Sequence, residues 1–168
     1  TTAPYIEVLS RLRLLDEIPA WIPSFNHLRR VGQAPKHHLA DPALAARLLG
    51  LSRESLLNGE GPARSMRDGS FLGALFESLA ALTVQVFASA ARARVSHLRL
   101  WDGRREIDMI VVRPDGRFLA IEVKLSGSVD STDVESLRWL RDETGEEMID
   151  GIVLTTGPEA YRRSDGIG

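Results

Sequence analysis

Two short apolar segments separated by a tight turn constrain the fold of this chain most strongly. Residues 106–112 and 117–125 are rich in isoleucine, valine and leucine, and Pro-Asp-Gly lies between them at residues 114–116. Apolar runs of this length that are bounded by Pro and Gly are typical of β-strands, and the short connection predicts an antiparallel hairpin.

Polar side chains interrupt this hairpin on one face. The other face of the second run is apolar and comprises Leu119, Ile121, Val123 and Leu125. Glu122 and Lys124 lie two residues apart and therefore point the same way. With a three-residue turn, Asp108 is directly opposite Glu122, with Cβ atoms roughly 5 Å apart. A slip by one residue would place Asp108 on the apolar face, so burial favours the first register.

The two opposed carboxylates need a counter-charge, because like charges directly opposite each other destabilise a sheet. Mg²⁺, or Mn²⁺ in its place, is usually held by one or two carboxylates with waters and substrate phosphate, and would remove the repulsion between Asp108 and Glu122. Lys124 could then hold an attacking water or stabilise negative charge. A structural alternative stays open, in which arginines satisfy both acids and Glu106 pairs with Lys124.

Lysine is rare in this chain. Arginine supplies nearly all of the cations, and Lys36 and Lys124 are the only lysines. The compact ammonium of lysine holds a water in a tight site more readily than the guanidinium fork of arginine does. The lysine at position 124 therefore supports a chemical role for the hairpin.

Composition and charge exclude several classes of protein. The 168 residues carry a net charge of −2 and no cysteine, which argues against a chain-wide electrostatic grip on nucleic acid and excludes disulfides and cysteine-ligated zinc. We expect a cytoplasmic protein without a secretory signal. The apolar stretches look short for a membrane span, so no membrane partner is expected. We interpret the chain, from Thr1 to Gly168, as a fragment of a longer protein.

Charge is distributed unevenly along the second half of the chain. Arginines are concentrated between residues 92 and 117, namely Arg92, Arg94, Arg99, Arg104, Arg105, Arg113 and Arg117. Acids dominate residues 129–150, namely Asp130, Asp133, Glu135, Asp142, Glu143, Glu146, Glu147 and Asp150. Two interpretations stay open, a local basic face that binds nucleic acid and a solvated surface of mixed charge.

The sequence predicts that the chain is divided into two parts. Residues 1–60 form a small, mostly helical segment, with a helix over 2–13, an extended run over 14–21, a short strand over 37–40 and a helix over 42–49 capped by Asp41. A linker is predicted across 58–70. Residues 65–168 predict a helix over 71–91, strands over 94–101, 106–112 and 117–125, a helix from 130 or 131 to about 142, and a strand over 149–154. This order is typical of an α/β domain with a central mixed sheet, an antiparallel hairpin and flanking helices.

The hairpin and the helix before it resemble a known superfamily. The runs EIDMIVV at 106–112 and LAIEVKLS at 119–126 resemble the hallmark hairpin of PD-(D/E)xK nucleases, and FESL at 76–79 resembles their first core helix. The resemblance implies a restriction-endonuclease-like core that hydrolyses DNA with Mg²⁺ or Mn²⁺. It implies Asp108 and Glu122 as metal ligands, Lys124 as the catalytic lysine and Glu77 as an accessory ligand. Glu77 lies almost opposite the apolar stripe of its helix, so a solvated glutamate is the alternative.

The N-terminal segment resembles a second, associated family. The runs YIEVLSRLRLL at 5–15 and APKHHLADPAL at 34–44 resemble the domain of unknown function found C-terminal to many bacterial and archaeal AAA-type ATPases. This resemblance implies a winged-helix-like connector, with the ATPase as a partner in a missing N-terminal portion, because no P-loop motif is present here. The alternative function is an inactive nuclease-like module that docks on or regulates the ATPase or its DNA.

Overall fold

The structure is a computed structural model that describes residues 2–22, 34–61, 69–100 and 103–168. The chain forms two compact units, one of Thr1–Glu17 with His37–Leu82 and the other of Ile18–Lys36 with Thr83–Gly168. The division into 1–60 and 65–168 stays a prediction. Residues 62–68 of the predicted linker lie outside the described residues.

Short helices and a small sheet make up the N-terminal elements. They are α1 (Ala3–Arg11), β1 (Leu15–Ile18), β2 (Lys36–Leu39), α2 (Pro42–Leu48) and α3 (Arg53–Leu57), and β1 pairs with β2. The predicted cap of α2 is confirmed, because the Asp41 carboxylate accepts the N–H of Ala43 at 2.9 Å. The Ala46 and Leu51 side chains are buried against Leu56, Phe71 and Leu75.

The long helix α4 (Ser70–Ala90) follows, as predicted. Its buried residues include the small side chains of Ala80, Ala81 and Ala88, whereas Val86 and Phe87 are exposed. The helix has 21 residues and contains an 18-residue window with a mean hydropathy of 1.7, so by length and composition it could cross a membrane. The expectation that the apolar stretches are too short was therefore wrong, because Glu77 is the only charged residue in this helix. The absence of a membrane partner stays a prediction.

A four-stranded mixed sheet organises the second unit. Its strands, in spatial order, are β3 (Arg94–Arg99), β4 (Glu106–Val112), β5 (Phe118–Val123) and β6 (Met148–Leu154). The strand β4 is antiparallel to both β3 and β5, and β6 is parallel to β5. The helix α5 (Glu135–Thr144) and a 3₁₀ turn (Gly145–Glu147) connect β5 to β6. The predicted α/β class with a mixed sheet, an antiparallel hairpin and flanking helices is confirmed.

The core of the second unit lies between the sheet and α5. Val134, Leu137 and Leu140 point inward and are at most 2% exposed. They pack in one cluster with sheet residues that include Ile110, Phe118, Ala120 and Met148, and with Ile167 near the C-terminus. Trp21 and Trp139 pack against this cluster.

The predicted start of α5 was wrong. Asp130 accepts the N–H groups of Thr132 and Asp133, at 2.7 and 3.1 Å, and so closes a turn of its own. The helix begins at Glu135, after Val134, which makes no side-chain cap.

Candidate metal and catalytic site

The register of the β4–β5 hairpin brings Asp108 and Glu122 together. Met109 pairs with Ile121 and Val112 with Phe118, which confirms the register predicted from the Pro-Asp-Gly turn. The strand pairing ends at Met109 and Ile121, next to the two acids. The carboxyl groups of Asp108 and Glu122 lie close enough for the charge of Asp108 and a hydrogen bond between them to raise the pKa of Glu122.

Both carboxylate oxygens of Asp108 are engaged. Oδ1 accepts a hydrogen bond from Lys36 Nζ at 2.9 Å, and Oδ2 accepts one from the N–H of Val123 at 2.9 Å. The bond to Val123 ties the side chain to the neighbouring strand and fixes its orientation. Hydrogen bonds to an ionised group are stronger than neutral ones, so Asp108 is held rigidly.

Glu122 is the buried member of the pair, with only 6% of its surface exposed. Burial raises the pKa of Glu122 from 4.5 to about 8, and the negative charge of Asp108 contributes in the same direction. The positive charges of Lys124 and Lys36 oppose this increase without cancelling it. A buried carboxylate beside a second one is an arrangement that a bound cation would stabilise.

Lys124 follows β5 directly and lies beside Glu122. Its Nζ is 3.7 Å from Oε2 of Glu122, and its side chain is 38% exposed. The backbone N–H of Lys124 donates to the carbonyl of Leu154 at 2.9 Å, which extends the parallel pairing of β5 and β6. The ammonium is therefore anchored next to the carboxylates and still reaches solvent.

The sequence analysis did not assign Lys36 to this site. Its Nζ lies 2.8 Å from Glu106 Oε1 and 2.9 Å from Asp108 Oδ1. The alternative in which Glu106 pairs with Lys124 was wrong, because Lys36 and, at 3.8 Å, Arg99 are the cations beside Glu106. The available signal was lysine scarcity, since both lysines of the chain meet at one carboxylate pair.

Glu77 lies on α4, in the unit formed by Thr1–Glu17 and His37–Leu82. Its carboxylate is 4.0 Å from Nε2 of His38, whose Nδ1 is 3.2 Å from the Ser78 hydroxyl. Its role as an accessory metal ligand stays a prediction.

Two loops are joined next to Lys124. The backbone N–H and the hydroxyl of Thr156 both donate to the carbonyl of Ser126, each at 2.9 Å. The Ser126 hydroxyl donates to the carbonyl of Ser128 at 2.7 Å. The loop after Lys124 is thereby fastened to the loop after β6.

His97 is a second unusual buried group in this unit. It is 2% exposed, and neither ring nitrogen has a hydrogen-bond partner among the residues that the structure describes. Burial lowers the pKa of His97, and the charge of Lys36 lowers it further. The imidazole is therefore neutral at physiological pH.

The carboxylate oxygens of Asp108 and Glu122 suit a hard divalent cation that takes only some of its ligands from the protein. Within the described ranges, no group of three or more His, Asp or Glu side chains could hold a metal ion. Asp108 and Glu122 supply two carboxylates, which is the usual protein contribution to a Mg²⁺ site completed by waters and substrate phosphate. The observation that favours a cation here is the burial of Glu122 beside Asp108, which disfavours ionisation of both acids together.

A family model for a domain of unknown function, DUF4143, matches residues 72–168, which is more than half of the chain. The chain belongs to the DUF4143 family. A second domain of unknown function, DUF8612, matches residues 1–55. Neither a curated protein nor a solved structure matches the chain. Asp108, Glu122 and Lys124 lie in the DUF4143 segment, whereas Lys36 lies in the DUF8612 segment.

Proposed function

We propose that the DUF4143 segment is a nuclease-like module of the PD-(D/E)xK type that hydrolyses phosphodiester bonds of DNA with Mg²⁺ or Mn²⁺. The observation that carries the proposal is the closeness of Asp108 to buried Glu122, with Lys124 Nζ 3.7 Å from the Glu122 carboxylate. An antiparallel hairpin followed by a helix and a parallel strand also agrees with a restriction-endonuclease-like core.

Each residue has a separate role in this proposal. Asp108 and Glu122 would hold the cation, which polarises a phosphate and lowers the pKa of a bound water. Lys124, partly exposed beside Glu122, would orient the attacking water and stabilise negative charge on the phosphate. The Val123 N–H holds Asp108 in position, so the site is preorganised by the hairpin backbone.

Cleavage assays on duplex, single-stranded and supercoiled DNA with Mg²⁺ or Mn²⁺ test the activity. Asp108→Asn and Lys124→Met should each lower the rate on the order of a hundredfold or more. Asp142→Asn is the matched control, because Asp142 is an exposed acid on α5, and its rate should be unchanged. Intact DNA under every condition, with no effect of Asp108→Asn, would overturn the enzymatic proposal.

The hydrogen bonds that Asp108 already accepts support a second candidate function. Both of its oxygens already accept hydrogen bonds, one from Lys36 and one from Val123. A nuclease-like fold with its carboxylates satisfied internally would serve as a docking or regulatory module that binds DNA or a protein. This candidate predicts no Mn²⁺ affinity and full function of the parent protein with Lys124→Met.

The AAA-type ATPase partner is part of the same proposal. Its support is the resemblance of residues 5–15 and 34–44 to the segment found C-terminal to such ATPases. The parent gene should then encode a Gly-x-x-x-x-Gly-Lys-Ser/Thr motif upstream of residue 1. A parent protein without that motif would contradict the ATPase assignment and leave the cleavage proposal standing.

A further inference from the structure

Both lysines of the chain converge on the Asp108–Glu122 pair, and they differ in what they contact. Lys124 lies 3.7 Å from Glu122, whereas Lys36 donates directly to Asp108 at 2.9 Å and to Glu106 at 2.8 Å. The side chain of Lys36 is 18% exposed, compared with 38% for Lys124. Lys36 is thus the more deeply placed cation and the one in direct contact with a proposed metal ligand.

We propose that Lys36 is an internal competitor of the divalent cation. Its ammonium occupies Asp108, and it must leave this carboxylate before a cation can be held by Asp108 and Glu122 together. The inference rests on the proposed metal site and adds a regulation of that site by a residue outside the DUF4143 segment.

The competition follows from the geometry of Asp108. Oδ2 points along the sheet to the N–H of Val123, so Oδ1 is the oxygen available to a cation, and Lys36 Nζ is already 2.9 Å from it. A Mg²⁺ ion would bind the same oxygen at about 2.0–2.1 Å. The two cations would then be separated by at most about 5 Å in a poorly solvated site, where their repulsion is strong.

Glu106 offers Lys36 a place to remain after release. The Glu106 side chain is 39% exposed and already contacts the ammonium. Lys36 can therefore give up Asp108 without becoming an unpaired charge. Loss of one hydrogen bond with retention of the other is a small change, which makes the lysine suitable as a displaceable occupant.

Substitution of Lys36 tests the competition by direct binding of Mn²⁺, measured by calorimetry and by the loss of the free-ion electron paramagnetic resonance signal. Lys36→Met keeps an unbranched side chain and removes the charge. If the lysine occupies Asp108 most of the time, the variant should bind Mn²⁺ at least about tenfold more tightly than the wild type. Lys36→Arg keeps the charge and should bind no more tightly than the wild type. Arg105→Met is the matched control, because it removes a cation from the ion pair with Glu135 in the same unit.

The outcomes separate this inference from the proposed function. Equal Mn²⁺ affinity for the wild type and Lys36→Met, or weaker binding by the variant, overturns the competition while the metal site stands. Absence of Mn²⁺ binding in every variant overturns the metal site and the competition together.

A measurement on the unmodified chain guards against misfolding of Lys36→Met. Acetylation of lysine amines followed by peptide mass spectrometry compares Lys36 in metal-free protein and in protein saturated with Mn²⁺ at matched ionic strength. Release from Asp108 should increase acetylation of Lys36 by severalfold. Bound Mn²⁺ with unchanged or decreased acetylation of Lys36 would overturn the proposal.

Discussion

Glu122 is a carboxyl group in an environment that disfavours its charge. It is almost completely buried and lies beside Asp108, and both factors raise its pKa, to about 8. The nearest cation, Lys124, is 3.7 Å away and partly solvated, so it compensates only in part. In the absence of a metal ion, ionisation of Glu122 therefore costs stability.

We expect the free energy of unfolding of metal-free protein to fall as pH rises. The pKa of Glu122 is about 8 in the folded chain and near 4.5 in the unfolded chain. The protonated carboxyl group therefore contributes its full stabilisation of the folded state below pH 4.5, and this stabilisation is lost as pH rises through 8. Glu122→Gln removes this dependence and should be more stable than the wild type at pH 9, on the order of a few kcal/mol. Urea denaturation in EDTA at pH 5 and pH 9 measures the difference. Parallel pH profiles for the two proteins would contradict the assigned pKa.

The length of the turn was sufficient to predict the register from Val112–Phe118 to Met109–Ile121. The roles of Asp108, Glu122 and Lys124 stay predictions. Lys36 was missed because it is 72 residues from Asp108 in sequence. No local pattern encodes a contact of that separation, and lysine scarcity indicated only that the residue was unusual.

At the scale of elements, the loop after Lys124 is held by the loop after β6. Thr156 donates twice to Ser126, and an added Cβ at Gly157 would lie 2.7 Å from the carbonyl oxygen of Gly127. Two backbone segments in such close contact cannot accommodate a side chain unless one moves. The position of the loop after Lys124 therefore depends on glycine at 157.

Gly157→Ala should lower the free energy of unfolding by about 1–3 kcal/mol, because the methyl group forces the loops apart. Gly127→Ala is its matched control, since a Cβ at Gly127 meets no atom within 4 Å. That variant should be within about 1 kcal/mol of the wild type. Chemical denaturation of both variants measures the effect, and equal stability would show that the loops are not in contact.

The elements with strong periodicity were predicted well, and their ends were predicted less well. The strand β4 has the predicted bounds, and a helix is present where α5 was predicted. The start of α5 was displaced because Asp130 satisfies a local turn instead of the helix. Side chains that cap turns and side chains that cap helices use the same residue types, so sequence alone does not separate them.

At the scale of the whole molecule, α5 and the C-terminal residues complete the core of the second unit. Ile167 is fully buried, and the N–H and carbonyl of Gly168 bond to Gly151 and Val153 of β6. The Arg138 guanidinium pairs with Asp165 and lowers the pKa of that carboxyl to about 2. These contacts were not predicted, because residues 155–168 have no periodic apolar pattern.

Leu137→Ala should destabilise the fold by about 2–5 kcal/mol, since it opens a cavity where the side chain is fully buried between α5 and the sheet. Ile149→Ala, at a position on β6 that is 47% exposed, is the control and should cost less than about 1 kcal/mol. Thermal and urea unfolding measure both variants. A small effect of Leu137→Ala would contradict the position of the core.

Crystals soaked in saturating Mn²⁺ test the central claim most directly, through the anomalous scattering of the ion. The account predicts one strong peak between the carboxylates of Asp108 and Glu122, at about 2.0–2.2 Å from an oxygen of each, with Lys36 withdrawn from Asp108. Density that shows Lys36 still bonded to Asp108, with no peak between the two acids, would contradict it.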